Sequence, residues 1–123
     1  VYLVPMNFGF TNVEGRRTFY FHSAPEGHKI GLLRRAQTAA FELDCGCAVT
    51  PGATACSHSA NYRSVMGQGR VRFLETQTDK RAALTEIMRQ NTGKDDWTFP
   101  DEAVDCVAVF VLDVQTITAK QRG

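Results

Sequence analysis

Phe19-Tyr20-Phe21-His22-Ser23-Ala24-Pro25-Glu26-Gly27-His28-Lys29 is the stretch around which the chain organises itself. Its aromatic front reads as a β-strand. The polar elbow behind it, with Ser23, Gly27, His28 and Lys29, is where a helix is expected to begin. Ser23 and Glu26 have capping-box spacing, and Pro25 falls in the first turn, where a missing N–H costs little. A helix start presents unpaired N–H groups and the positive end of a dipole. With a hydroxyl, a glycine and an ammonium beside it, the elbow suits a phosphate. Taken alone, the same residues also describe an ordinary capped helix with solvated charges, and Glu26 opposes an anion unless its carboxylate turns back to the cap.

Upstream, residues 1 to 10 read as a strand interrupted by Pro5, which cannot donate to a ladder. Thr11 to Arg17 is a polar turn containing Gly15, and Thr18 to His22 returns as the second strand of a hairpin. Residues 24 to 36 are expected to be helical, with Ile30, Leu32 and Leu33 facing inward. Gln37 to Leu43 follows as a third strand. Asp44 to Ser59, rich in small and polar residues, reads as a long loop of the kind that covers a site. Tyr62 to Glu75 is a long strand in which Gly67 and Gly69 mark a bend or bulge. Residues 78 to 91 form an amphipathic helix striped by Ala83, Leu84, Ile87 and Met88, and Asn91 to Pro100 is a connection.

Val104 to Val114 is the last strand. It is apolar at both parities, with Cys106, Ala108, Phe110 and Leu112 on one side and Val107, Val109 and Val111 on the other. Such a strand is buried on both faces, so its outer face needs a cover from helix 78–91 or from a second subunit. The order β-β-α-β-β-α-β predicts a mainly β fold, an antiparallel barrel with peripheral helices.

A chain of 123 residues is expected to form a single domain over residues 1–123. Hydrophobic content of 43% and charged content of 22% are those of a globular protein, and a net charge of +1 gives no reason to expect nucleic acid or a membrane as partner. No apolar run approaches the ~20 residues of a membrane span and no signal peptide is visible, so a cytoplasmic location is expected. The chain opens inside an apolar run without a methionine, so further N-terminal residues are expected ahead of Val1.

Cys45, Cys47 and Cys56 lie near His58 in the spacing C-x-C-x8-C-x-H, four ligand types that zinc accepts. The spacing departs from the C-x2-C knuckle, and with Cys106 elsewhere the four cysteines read as free thiols with no metal. There is no G-x-S-x-G, no H-E-x-x-H, no P-loop and no G-x-G-x-x-G opening a helix. His22 is the best-placed titratable group, at the strand end beside the proposed anion site, though a lone histidine is more often structural. An anion cradle with few acid–base groups fits a cofactor enzyme, where the bound molecule holds the reactivity. Val4-Pro5-Met6-Asn7 would meet the polar edge of a planar ring, and Tyr62-Arg63-Ser64 offers a guanidinium fork suited to phosphate. The plain alternatives are an edge strand and a solvated strand start.

The ordered set V-P-M-N-F-G-F, F-Y-F-H-S-A-P-E-G-H-K-I-G-L-L-R-R, F-E-L-D, Y-R-S-V-M-G-Q-G-R, K-R-A-A-L and V-A-V-F-V-L-D-V-Q-T-I-T-A-K resembles the pyridoxamine 5′-phosphate oxidase-like, FMN-binding split-barrel family, and most nearly its 5-nitroimidazole reductase branch. The resemblance implies a homodimer holding two FMN molecules at the subunit interface. It implies that Val4, Pro5, Met6 and Asn7 line the isoalloxazine, and that His22, Ser23 and Lys29, with Gly27 and His28 nearby, hold the ribityl phosphate. Tyr62, Arg63 and Ser64 would reach the FMN of the other subunit, and His22 would lie near the reacting face. The implied activity is an FMN-dependent oxidoreductase that passes electrons from NAD(P)H to a small nitroimidazole-like acceptor. Family chains usually begin with a further helix and strand, absent here, and lack of the C-terminal Arg and His of the vitamin B6 oxidases disfavours pyridoxamine phosphate oxidation. A non-catalytic flavin or haem carrier or sensor, a deazaflavin-dependent reductase and a zinc-stabilised module are the alternatives.

Overall fold

Val13 and Arg16 face each other across a two-residue turn in which Glu14 (φ 53°) and Gly15 (φ 85°) both take positive φ. That is the mirror-image turn whose twist matches antiparallel strands, and it closes the hairpin read from the sequence with a tighter loop than Thr11–Arg17. The computed structural model describes residues 2–50, 52–55 and 59–122, and the backbone only for residues 46–50, 59–62 and 122. Its elements are β1 (Gly9–Val13), β2 (Arg16–Ser23), α1 (His28–Ala36), β3 (Thr38–Thr50), β4 (Ser59–Leu74), α2 (Gln77–Thr92), α3 (Asp101–Cys106) and β5 (Ala108–Arg122). The five strands form one sheet in the order β1-β2-β5-β4-β3, and β2 is antiparallel to both β1 and β5.

Two compact units divide the chain, Val1–Ala39 with Gly69–Val114, and Ala40–Gln68 with Gln115–Gly123. In the first, Ala108 to Leu112 are each 7% exposed or less, so β5 is buried at both parities as its sequence requires. Phe21 pairs with Phe110 in register, and their rings stack at 5.2 Å. Phe73 joins Phe110 at 5.3 Å, while Phe19 meets Phe8 and Phe10 at 5.4 and 4.9 Å. Ala83 and Ile87 of α2 are buried, and α2 packs against β1 and β2. Asp113 is shared by the Thr18 hydroxyl, by Arg16 and by Arg72 at 2.8 Å, a hydrogen bond that pushes the Arg72 pKa up.

In the second unit Gly67 lies where a Cβ would collide with the Thr116 carbonyl oxygen and the Phe41 ring. Gly69, in the first, meets the Asp113 carbonyl oxygen in the same way. Close approach of neighbouring backbone leaves no room for a side chain at either position.

Several boundaries differ from those read in the sequence. Strand pairing begins at Gly9, so residues 2–8 run outside any strand. Ser23 pairs with Ala108 as the last residue of β2, and its hydroxyl donates to the Ala24 carbonyl at 3.0 Å. It is therefore not a cap: α1 starts at His28 behind Gly27, with no side-chain cap. Cross-strand pairing has overridden the local capping-box pattern. The expected loop over Asp44–Ser59 is narrower than read, since β3 continues to Thr50 and β4 begins at Ser59; residues 52–55 lie outside any strand, and 51 and 56–58 fall outside the described residues. Residues 104–107 belong to α3 and its exit, not to the last strand.

Gly9 decides how β1 meets α2, because a Cβ there would lie 2.6 Å from Glu86 C and Ile87 N. Backbone offers no flexible end that can yield. Gly9→Ala is expected to lower the unfolding free energy in urea by about 1–3 kcal/mol. Relief of the positive φ at Glu14 by Glu14→Asn is expected to raise it by about 0.5 kcal/mol.

Candidate functional site

Where β2 ends against the start of β5, the chain leaves a cleft of about 540 Å³, within the ~300–1,000 Å³ range of small-molecule sites. Three segments wall it: Pro5, Met6 and Asn7 before β1; His22, Ser23, Ala24 and Lys29 around the β2–α1 elbow; Ala103, Cys106 and Val107 at α3. All three belong to the first unit.

Strand alternation explains the elbow. Phe19 and Phe21 turn to the aromatic core, so His22 between Phe21 and Ser23 takes the other face and remains exposed. The ladder then fixes His22 opposite Val109 and Ser23 opposite Ala108. Gly27 turns the chain into α1 with φ 138° and ψ 171°, a region essentially reserved for glycine, and Lys29 follows in the first turn, half-buried.

The sequence had singled out twelve residues, and six of them line this one cleft: Pro5, Met6, Asn7, His22, Ser23 and Lys29. Gly27 stands at the hinge of the elbow without lining it. His28 packs edge-on against Tyr2 at 4.8 Å, and Val4 adjoins the cleft segment with 41% exposure. Arg63 and Ser64 lie on β4 in the second unit, exposed and half-buried respectively, and the side chain of Tyr62 is outside the described set. Ala24, Ala103, Cys106 and Val107 were missed. The signal for the last three was Pro100-Asp101-Glu102, a proline followed by first-turn acids, which is a helix start. The Cys/His spacing read for zinc includes Cys56 and His58, which lie outside the described residues, as does the Cys47 side chain. Cys45 is an exposed free thiol on β3. Among the described residues no metal-ligand group is gathered, and no helix is long and apolar enough to cross a membrane.

The sequence matches the family described as pyridoxamine 5′-phosphate oxidase over residues 1–121. The chain belongs to that family. Among solved structures it is similar to a "putative 5-nitroimidazole antibiotic resistance protein" from Bacteroides thetaiotaomicron, with 39% identity and a TM-score of 0.81 over 96% of this chain and 67% of that one. A flavocytochrome from Azotobacter vinelandii shares the fold at 19% identity and a TM-score of 0.77, over 99% of this chain and 56% of its own length. A FAD-binding protein from Mesorhizobium loti shares it at 17% identity and a TM-score of 0.64, over 99% of this chain and 78% of that one. No curated protein matches the chain. The mainly antiparallel sheet with three helices is thus the family's split-barrel fold.

Two glycines near the cleft separate strain from propensity. Gly27→Ala is expected to lower stability by about 1–3 kcal/mol, because its φ is forbidden to alanine. Gly31→Ala, inside α1 with only Arg35 Nη1 at 3.8 Å from the new Cβ, is expected to raise it by about 0.5–1 kcal/mol. Urea unfolding of both variants checks the pair.

Proposed function

We propose that this chain is a flavoprotein that binds FMN in the cleft and acts as an oxidoreductase, reducing a small nitroimidazole-like acceptor with electrons from NAD(P)H. The observation that carries the reading is the convergence of Pro5, Met6 and Asn7 with His22, Ser23 and Lys29, two segments separated in sequence, on one cleft of suitable size. Family membership and 39% identity to a protein named for nitroimidazole resistance support the same choice.

The donor set fits a phosphorylated planar ring. An ammonium, a hydroxyl and an imidazole supply hydrogen bonds to a phosphate, while Pro5, Ala103 and Val107 offer apolar surface to a ring. Lys29 would hold the phosphate by a charge-assisted bond. Ser23 would reach it by turning its hydroxyl away from the Ala24 carbonyl. Gly27 and His28 place the first amides of α1 beside them. Val4, Pro5, Met6 and Asn7, free of any strand ladder, would face the ring through their backbone. When bound, FMN supplies the redox chemistry at N5 of its ring. His22, the imidazole on the cleft, is our candidate catalytic residue.

The working unit in this reading is a homodimer with FMN at the subunit interface, where Tyr62, Arg63 and Ser64 serve the cofactor held mainly by the partner. Tyr2, Leu3 and Val4 support it, since they expose 51%, 87% and 41% of their surface beside the cleft segment, and contiguous apolar exposure suits a partner.

Titration of the purified protein with FMN is expected to quench flavin fluorescence, and absence of quenching removes the proposal. Lys29→Ala and Ser23→Ala are each expected to weaken binding by about 1–3 kcal/mol, roughly 5- to 150-fold in Kd. Steady-state NAD(P)H oxidation with a nitroaromatic acceptor tests the reductase step, since a carrier binds flavin without turnover. Sedimentation at twice the chain mass is the expected result for the dimer.

A further inference from the structure

The helix that walls one side of the cleft is too short to hold itself in place. α3 has six residues, and isolated helices below about 12–15 residues are marginal in water. All of its last-turn carbonyls lack intrahelical partners and must find donors elsewhere. α2 supplies a donor to one of them, the Val104 carbonyl, and further donors to groups at both ends of α3. Gln77, Lys80 and Arg81, at i, i+3 and i+4, share one face of that helix. Gln77 Nε2 donates to the Asp101 carbonyl at 3.1 Å and to the Asp105 carboxylate. Arg81 donates to the Phe99 carbonyl and the Asp101 carboxylate, and its Nε donates to Gln77 Oε1 at 3.1 Å.

Lys80 reaches furthest toward the cleft. Its Nζ donates to the Val104 carbonyl at 3.2 Å and to the Val107 carbonyl at 3.0 Å, in a part-buried setting. These carbonyls close the C-terminal end of α3, where a cation also suits the helix dipole. Val107 itself lines the cleft, and Ala103 and Cys106 flank the other held carbonyl. Val104, between them, is fully buried and fastens the opposite side of α3 to the core.

We propose that Lys80 is a positioning residue of the cleft. It touches no ligand, and it acts by holding the 103–107 wall at the spacing that a flavin ring fills. The inference rests on the flavin reading for its ligand, but the hold on the wall is independent of it. A lysine that merely contributed to global stability would loosen the whole first unit evenly when removed. A positioning lysine loosens one wall and the affinity that depends on it.

Lys80→Met and Lys80→Arg separate these roles through two readouts. The first is amide hydrogen exchange of the protein without FMN. The second is the FMN dissociation constant. Lys80→Met is expected to speed exchange over residues 103–107 on the order of tenfold while β2 and β5 amides stay within about threefold. It is also expected to raise the FMN Kd by about tenfold. Lys80→Arg, which keeps donors to both carbonyls, is expected to restore both to within about threefold. Uniform acceleration across the unit overturns the proposal, as does a loosened 103–107 segment with unchanged FMN affinity. If Lys80→Met fails to fold, Lys80→Gln carries the same comparison. Failure of the wild-type protein to bind FMN sinks the functional reading instead, and the exchange pattern then decides alone whether Lys80 holds the wall.

Discussion

Five consecutive side chains of β5, Ala108 to Leu112, are shut away from water on both faces of the sheet. A strand in that position must have its backbone paired on both edges and its side chains packed above and below. The pairing comes from β2 on one side and β4 on the other. The packing comes from aromatic residues that meet Phe110 from Phe21 and Phe73. Each fully buried Val, Leu or Phe contributes about 1.5–3 kcal/mol, so the register of β5 is fixed by a large preference over any slip. His22 and Ser23 inherit their positions from that register, opposite Val109 and Ala108. The cleft therefore stands at the mouth of the most deeply buried strand, and its polar wall is as well placed as the core itself.

Much of this was legible in the chain. Double-parity burial of Val109 to Val111 follows from an apolar run with no alternation, and the hairpin follows from the polar turn over Thr11–Arg17, with its Gly15, between two strand-like stretches. The helix α2 announced itself through Ala83 and Ile87 at helical spacing. The elbow was legible in composition but not in geometry. Ser23 carries a capping signature and also fits a strand end, and only the long-range partner Ala108 decides between them. No local pattern holds that information. β3 beyond Leu43 was hidden by small residues that pair as well as they loop. α3 was hidden because Val104 and Val107 share the strand-like parity of the residues that follow them.

The cleft is composite, and this explains why sequence motifs identified only part of it. The elbow residues and the Pro5–Asn7 segment each carry recognisable residue types. The third wall is made of Ala103, Cys106 and Val107, which say nothing chemical when read in isolation. Their contribution is shape, set by a short helix with acidic first-turn residues and held by Gln77, Lys80 and Arg81. Because one fold can serve different chemistries, a wall of this kind is a part that can change without disturbing the core.

The helix α2 has a second attachment. Its Glu86–Ile87 backbone receives Gly9 at a distance no side chain tolerates, and Asn91 Nδ2 donates to the Phe8 carbonyl at 3.2 Å. Phe8 and Gly9 directly follow the Pro5–Asn7 wall, and Gln77 to Arg81 hold the facing one. Two sides of the cavity are thus mounted on a single rod. A substitution that displaces this rod therefore disturbs both walls at once, while His22 and Ser23 stay anchored to the sheet through Val109 and Ala108.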